Sequence, residues 1–144
     1  MDVVKHIPQA ELARDPVGIL QVVRRRQPIV VEDQGRPQAT IVDPVDLQIL
    51  LAVVRYYVDR PRIDSGTGLS DAQVTDLKGQ PRFDLALAHY LAEAISLSRT
   101  AEVLETSWLE LRERFSRLGL PLRTAPIDEE GVRQDILVAE SSLP

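Results

Sequence analysis

Residues 28–58 read PIVVEDQGRPQATIVDPVDLQILLAVVRYYV, and the residue pattern changes character twice within them. PIVVED and PQATIV are β-branched runs on either side of Gln34-Gly35-Arg36, a pattern that predicts a β-hairpin with glycine supplying the turn. Asp43-Pro44 then puts a capping carboxylate ahead of a proline at the first helical position, and Asp46 adds acid to the first turn. Side-chain capping, a preset φ and the helix dipole all favour a helix starting there. That helix holds Val45, Leu47, Ile49, Leu50, Leu51, Ala52, Val53 and Val54, more apolar positions than one buried stripe can use. In so small a module the surplus needs a second surface to cover it. A homodimer seam through Leu47, Leu50, Leu51 and Val54 is the economical solution.

Upstream, residues 2–7 (DVVKHI) read as a short edge strand ended by Pro8, which has no N–H to give a ladder. A helical turn over Gln9–Ala13 follows, and Asp15-Pro16 repeats the cap-then-proline start. This second helix shows Ile19, Val22 and Val23 on one side and runs into Arg24-Arg25-Arg26, where cations meet the negative end of the dipole, before Pro28 stops it.

Downstream, residues 59–82 carry Pro61, Ser65, Gly66, Gly68, Gly79 and Pro81 and read as a linker, with Ser70 capping a short helix over Asp71–Lys78. The rest is helical: Phe83–Ala94, Leu97–Leu104 capped by Ser96, and Trp108–Leu118 capped by Ser107 and closed by Gly119. Leu104, Trp108, Leu111, Phe115 and Leu118 recur at helical spacing and are expected to form a small core. Asp128-Glu129-Glu130 opens a last helix with Val132 and Ile136 as its apolar stripe. The expected organisation is a module at 1–58, a linker at 59–82 and an all-α module at 83–144.

Composition narrows the function classes. Apolar residues make up 44% and aromatics 4%, so the core must come from aliphatic side chains, and small modules of this kind commonly gain stability by oligomerising. Lys/Arg and Asp/Glu balance over residues 1–58, which leaves the whole net charge of −5 on residues 59–144; simple electrostatics therefore favours the first part for any contact with DNA. There is no cysteine, and no stretch approaches the ~18 apolar residues of a membrane helix, so the chain is expected to be soluble and cytoplasmic, with no membrane partner. His6 and His89 stand far apart without ligand-spaced partners, so no metal or cofactor is expected. No Ser-His-Asp order, phosphate loop or paired-carboxylate spacing is present, and the chain is read as having no catalytic residues and no enzymatic activity.

The first 58 residues resemble the Phd/YefM antitoxin family in the order and spacing of strand, short helix, LARDP at 12–16, hairpin and capped helix. The resemblance covers about two fifths of the chain. It implies an α+β fold of three short strands and three helices, dimerised through the strands and the long helix, with a basic face on operator DNA. On this resemblance Arg14 stands where the family places a phosphate-contacting arginine, and Arg24, Arg25 and Arg36 are further DNA-facing cations. The other reading of all four is a solvated surface. The chain departs from the family at Asp33, where many members carry an arginine at the hairpin tip; a carboxylate there repels phosphate, with Arg36 across the turn as the compensating cation.

Residues 84–141, through YLAEAISLSRTAEVLETSWLELRERFSRLGLPL and DEEGVRQDILVAE, resemble small prokaryotic proteins with a helix-turn-helix-like core that are often encoded beside PIN-domain toxins. Two helices meeting at Ala101 before a tight turn follow helix-turn-helix logic. Glu105 stands where the family has glycine, so the turn is expected to form without a left-handed residue. Glu110 and Glu113 beside Arg112 and Arg114 are costly in a major groove unless they accept from cytosine, which favours a docking scaffold over a base reader.

Together the resemblances imply a type II antitoxin whose partner is a PIN-domain ribonuclease, and which regulates its own operon. An apolar helix laid beside the toxin's acidic site, with a cation aimed at its carboxylates, would silence it. Val132 and Ile136 are the expected anchors and Arg133 the cation; the other reading is that this stripe closes onto the chain's own helical core. The linker, with Arg60, Arg62 and Ile63, is the second expected toxin-binding segment. A stand-alone transcriptional regulator and a protein-binding adaptor that touches no DNA remain the alternatives.

Overall fold

The computed structural model describes residues 4–25, 27–66 and 68–122. Among them the protein is α+β, a three-stranded sheet with seven helices: β1 (Lys5–Pro8), α1 (Gln9–Arg14), α2 (Pro16–Arg24), β2 (Ile29–Asp33), β3 (Arg36–Ile41), α3 (Pro44–Asp59), α4 (Asp71–Val74), α5 (Gln80–Leu91), α6 (Leu97–Val103) and α7 (Trp108–Arg117). Its internal contacts divide it into two compact units, Met1–Leu47 and Gln48–Pro144, with the division inside α3.

In the first unit the strand order is β1-β2-β3, with β1 parallel and β3 antiparallel to the central β2. The hairpin closes on two residues where the sequence predicts three. Gln34 and Gly35 both take positive φ, 52° and 77°, as a type I′ turn requires. Arg36 already belongs to β3, opposite Asp33. Val31 pairs with Ala39 and Glu32 with Pro37, so Gln38 is the extra residue of a bulge. Pro37 thus sits beside a bulge on an edge strand, a place where its missing N–H is tolerated. The two-residue period of β2 sends Ile29 and Val31 inward to join Ile7, Ile19 and Val23, with Leu12, Val22 and Ile41 packed around them. Each such side chain stabilises the unit by about 1.5–3 kcal/mol before entropy is counted. The Asp15 carboxylate accepts from the Gly18 N–H at 3.1 Å, and the Asp43 carboxylate accepts from Val45 and Asp46 at 2.8 and 3.2 Å. Both cap-then-proline starts therefore work as capping chemistry requires.

In the second unit the stretch expected as a linker is partly structured. Helix α4 ends at Val74, short of the expected Lys78, and α5 starts at Gln80 instead of Phe83. Leu69 and Val74 are buried. The Arg99 guanidinium of α6 donates to the Leu69 carbonyl at 2.8 Å and to the carboxylates of Asp71 and Glu102 at 2.8 and 2.9 Å. Burial opposes the Arg99 charge, but hydrogen bonds to Asp71 and Glu102 and their negative charge outweigh it and hold the group above its ordinary value. The core draws Leu87 and Tyr90 from α5, Ala101 and Val103 from α6, and Leu111 and Phe115 from α7. Tyr90 stacks on Phe115 at 5.2 Å, and its hydroxyl donates to the Pro121 carbonyl.

Helices α5, α6 and α7 end alike. Glu93 N–H donates to Tyr90 and Ala94 N–H to His89; Glu105 donates to Glu102 and Thr106 to Ala101; Gly119 donates to Ser116 and Leu120 to Phe115. Each is the doubled bond of a Schellman motif, which needs a left-handed residue just past the helix. Glycine fills that position once, at φ 75°; Glu93 and Glu105 fill it at 62° and 56°. The expected turn without a left-handed residue at Glu105 is thus corrected: the closing hydrogen bonds demand that conformation, and glutamate takes it at a steric cost.

Gly119→Ala is expected to destabilise the chain by about 1 kcal/mol, and Glu105→Gly to shift the urea midpoint the other way by a few tenths to about 1 kcal/mol. Arg99→Met, which strands the Leu69 carbonyl, is expected to cost about 1–3 kcal/mol in the same titration.

Candidate interaction surface

Helix α3 is the element whose side chains outnumber its partners. At 100° per residue, Ile49, Ala52 and Tyr56 fall on one side, and Leu47, Leu51, Val54 and Val58 fall on the opposite side. Ile49 and Ala52 are buried and Tyr56 is half-buried. Leu47, Leu51, Val54 and Val58 are 45, 48, 59 and 75% exposed. A helix normally turns one apolar stripe to the core and a polar face to water; here the solvent side is a second stripe. Of the four residues the sequence assigns to a seam, Leu47, Leu51 and Val54 lie on this face, while Leu50 lies at its border and is half-buried. Sequence reasoning missed Tyr57, 56% exposed beside the stripe, and Val58. The 4-3-4 spacing from Leu47 to Val58 was the signal that would have found Val58. It also missed Val17 and Leu20, exposed one turn apart on α2.

The expected DNA-facing cations do not form one cluster. Arg14, Arg24, Arg25 and Arg36 are all exposed. The register puts Lys5 opposite Ile29, and Lys5 N–H donates to the Pro28 carbonyl, so the end of α2 with Arg24 and Arg25 meets the sheet where β1 begins. Pro8 lies opposite Glu32 and Arg36 opposite Asp33, so Arg36 stands at the other end. Four strand steps, about 13 Å, separate the two ends. Arg14 closes α1, and the carboxylate of its neighbour Asp15 is spent on the cap of α2. Arg26 lies outside the described residues.

In the second unit α7 presents a mixed surface. Arg112 stacks on the Trp108 ring at 5.4 Å, and Glu110 accepts from Thr106 at 2.7 Å and from the buried Arg114 at 3.3 Å. Charge on this helix is thus tied up locally, with Glu113 and Leu109 left exposed. The Trp108 Nε1 is a buried donor without a hydrogen-bond partner among the described residues.

Arg60 and Arg62 are exposed, and Arg60 takes φ 44°. Between and beside them, Pro61 and Ile63 help line an apolar cleft of about 430 Å³ with Tyr56, Leu77, Leu85 and His89. The Arg55–Asp84 ion pair, 2.5 Å, also lines it. His89 Nδ1 lies 2.9 Å from the Leu85 carbonyl; since a carbonyl only accepts, Nδ1 carries the proton. Val132, Arg133 and Ile136 lie outside the described residues.

Among the described residues no group of three His, Cys, Asp or Glu side chains is arranged to hold a metal ion, and no helix is long and apolar enough to cross a membrane. Comparison with protein-family models, with curated proteins and with solved structures finds no match.

Proposed function

We propose that this chain is the antitoxin of a type II toxin–antitoxin pair, a homodimer that neutralises a PIN-domain ribonuclease by protein contact and represses its own operon through operator DNA. The observation that supports the reading best is the second apolar face of α3, where Leu47, Leu51, Val54 and Val58 stand exposed in one row instead of scattered singly. A second copy of the chain covers it in this reading. The toxin is taken either by the C-terminal stretch, with Val132 and Ile136 as anchors and Arg133 as cation, or by the segment around Arg60 and Arg62, which stand exposed next to the apolar cleft. Operator DNA is met by Arg14, with Arg24, Arg25 and Arg36 adding phosphate contacts from two ends of the sheet.

One set of observations favours a second reading, a protein-binding adaptor that touches no DNA. The cations of the first unit are split between the sheet ends, Asp33 sits opposite Arg36, and on α7 Arg114 is paired with Glu110 while Arg112 lies over the Trp108 ring. Such a surface concentrates little positive potential, and affinity for DNA comes largely from that potential.

Co-expression with the product of the adjacent reading frame is expected to give a co-purifying complex. Ile136→Asp is expected to weaken it at least tenfold, whereas Arg62→Ala does so if the 59–63 segment is the contact. On operator DNA, Arg14→Ala is expected to lower affinity across sequences and to reduce the salt slope by about 1. No operator binding by the wild type, with or without its partner, would leave the adaptor reading. Leu51→Glu is expected to give a folded monomer, read by light scattering with unchanged far-UV circular dichroism.

A further inference from the structure

The wall of the apolar cleft in the second unit carries an unused hydrogen-bond acceptor. Helix α3 gives the cleft Tyr56, α5 gives it Leu85 and His89, and the loops give it Ile63 and Leu77. The chain leaves α3 through Arg60, at φ 44°, whose N–H donates to the Tyr56 carbonyl at 2.8 Å. That left-handed residue turns the backbone so that Ile63 joins the same cleft as α5. His89 is 8% exposed. Its Nδ1 donates to the Leu85 carbonyl at 2.9 Å, which leaves Nε2 of the neutral ring as a lone-pair acceptor. Nε2 makes no hydrogen bond among the described residues and is not one of the nitrogens sealed from solvent, so it opens into the cleft that the ring lines. A lone polar atom in an apolar concavity is the means by which such a site orients a ligand.

The charges around the cleft limit what that ligand can be. Arg55, Asp59 and Asp84 line it, and Arg55 is committed to Asp84, so the carboxylate of Asp59 leaves the lining net negative. A carboxylate or phosphate group is repelled there. The volume, about 430 Å³, falls within the range of small-molecule sites, and Tyr56 offers an aromatic ring to pack against. We infer that the cleft binds a small uncharged aromatic molecule with one N–H or O–H donor, the donor bonding to His89 Nε2 and the ring lying among Tyr56, Ile63, Leu77 and Leu85. The site is complete within one chain and goes beyond the contacts with toxin and operator proposed above.

Indole is the probe, titrated into the full-length chain alone by calorimetry, with N-methylindole as the same ring without its donor and indole carboxylate as the same ring with a negative charge. Indole is expected to bind saturably, one per chain, with a dissociation constant below about 1 mM. N-methylindole is expected to bind about tenfold more weakly despite its extra apolar surface, because it leaves the acceptor unpaired, and the carboxylate at least tenfold more weakly. The chain has two histidines, so imidazole nitrogen NMR locates the site: indole is expected to shift the Nε2 resonance of His89 and to leave His6 unmoved, with His6→Gln making the assignment. In His89→Phe, which keeps a flat ring and removes the acceptor, the preference for indole over N-methylindole is expected to vanish. Absence of saturable indole binding up to several millimolar overturns the inference. Equal affinity for indole and N-methylindole, equal affinity for the carboxylate, or binding that leaves the His89 resonance in place overturns it as well. All of these are read on the wild-type chain without toxin or DNA, so they stand whether or not His89→Phe folds and whether or not the antitoxin reading holds.

Discussion

A helix has a single circumference, and α3 spends it on two apolar faces separated by half a turn. Ile49 and Ala52 are buried on one side, while Leu51, Val54 and Val58 meet solvent on the other. At about 25 cal/mol per Å² of apolar surface, leaving several such side chains in water forgoes stabilisation comparable to a large part of a small protein's net stability. The stripe therefore governs how the molecule behaves in solution.

The first unit illustrates how local chemistry positions, without concentrating, the groups that would meet a polyanion. Parallel pairing of β1 with β2 forces the chain to travel the length of the sheet through α1 and α2 before re-entering. The arginines at the end of α2 and the arginine of the hairpin are thereby delivered to opposite ends. The His6–Glu32 contact at 2.6 Å and the bulge at Gln38 occupy the strands between them. A protein built this way contacts phosphates at separated points or does not rely on them at all.

The second unit is held by backbone chemistry as much as by its core. Three successive helices close with the same doubled hydrogen bond, two of them on glutamate. Arg99 reaches out of α6 to the Leu69 carbonyl in a loop, and Arg82 reaches out of α5 to the Leu77 carbonyl in a loop and to the carbonyl of Val103, the last residue of α6. These guanidiniums act as long-range caps, each satisfying carbonyls that helices and strands leave unpaired. They give the breaker-rich stretch after α3 a defined path past the apolar cleft. The exposed Arg60 and Arg62 stand on that path beside Pro61 and Ile63 of the cleft wall.

What the sequence determined by itself was local and one-dimensional. Asp15-Pro16, Asp43-Pro44, Ser96 and Ser107 mark helix starts because capping involves only neighbours three residues apart, and the β-branched runs flanking Gln34-Gly35 mark the hairpin for the same reason. The surplus of apolar residues on α3 was legible too, and with it Leu47, Leu51 and Val54. Tertiary structure decided what needs partners distant in the chain. It drew Gln80–Arg82 into α5 and tied Leu69 to Arg99, although the glycines and prolines nearby read as linker. It placed Glu93 and Glu105 in left-handed conformation, because packing of the next helix fixes the turn more strongly than the residue's own preference. It also sorted the apolar residues of α3 into one face that the chain buries and one that it leaves open. Periodicity counts apolar positions, but only the placement of the other elements determines which of them meet water.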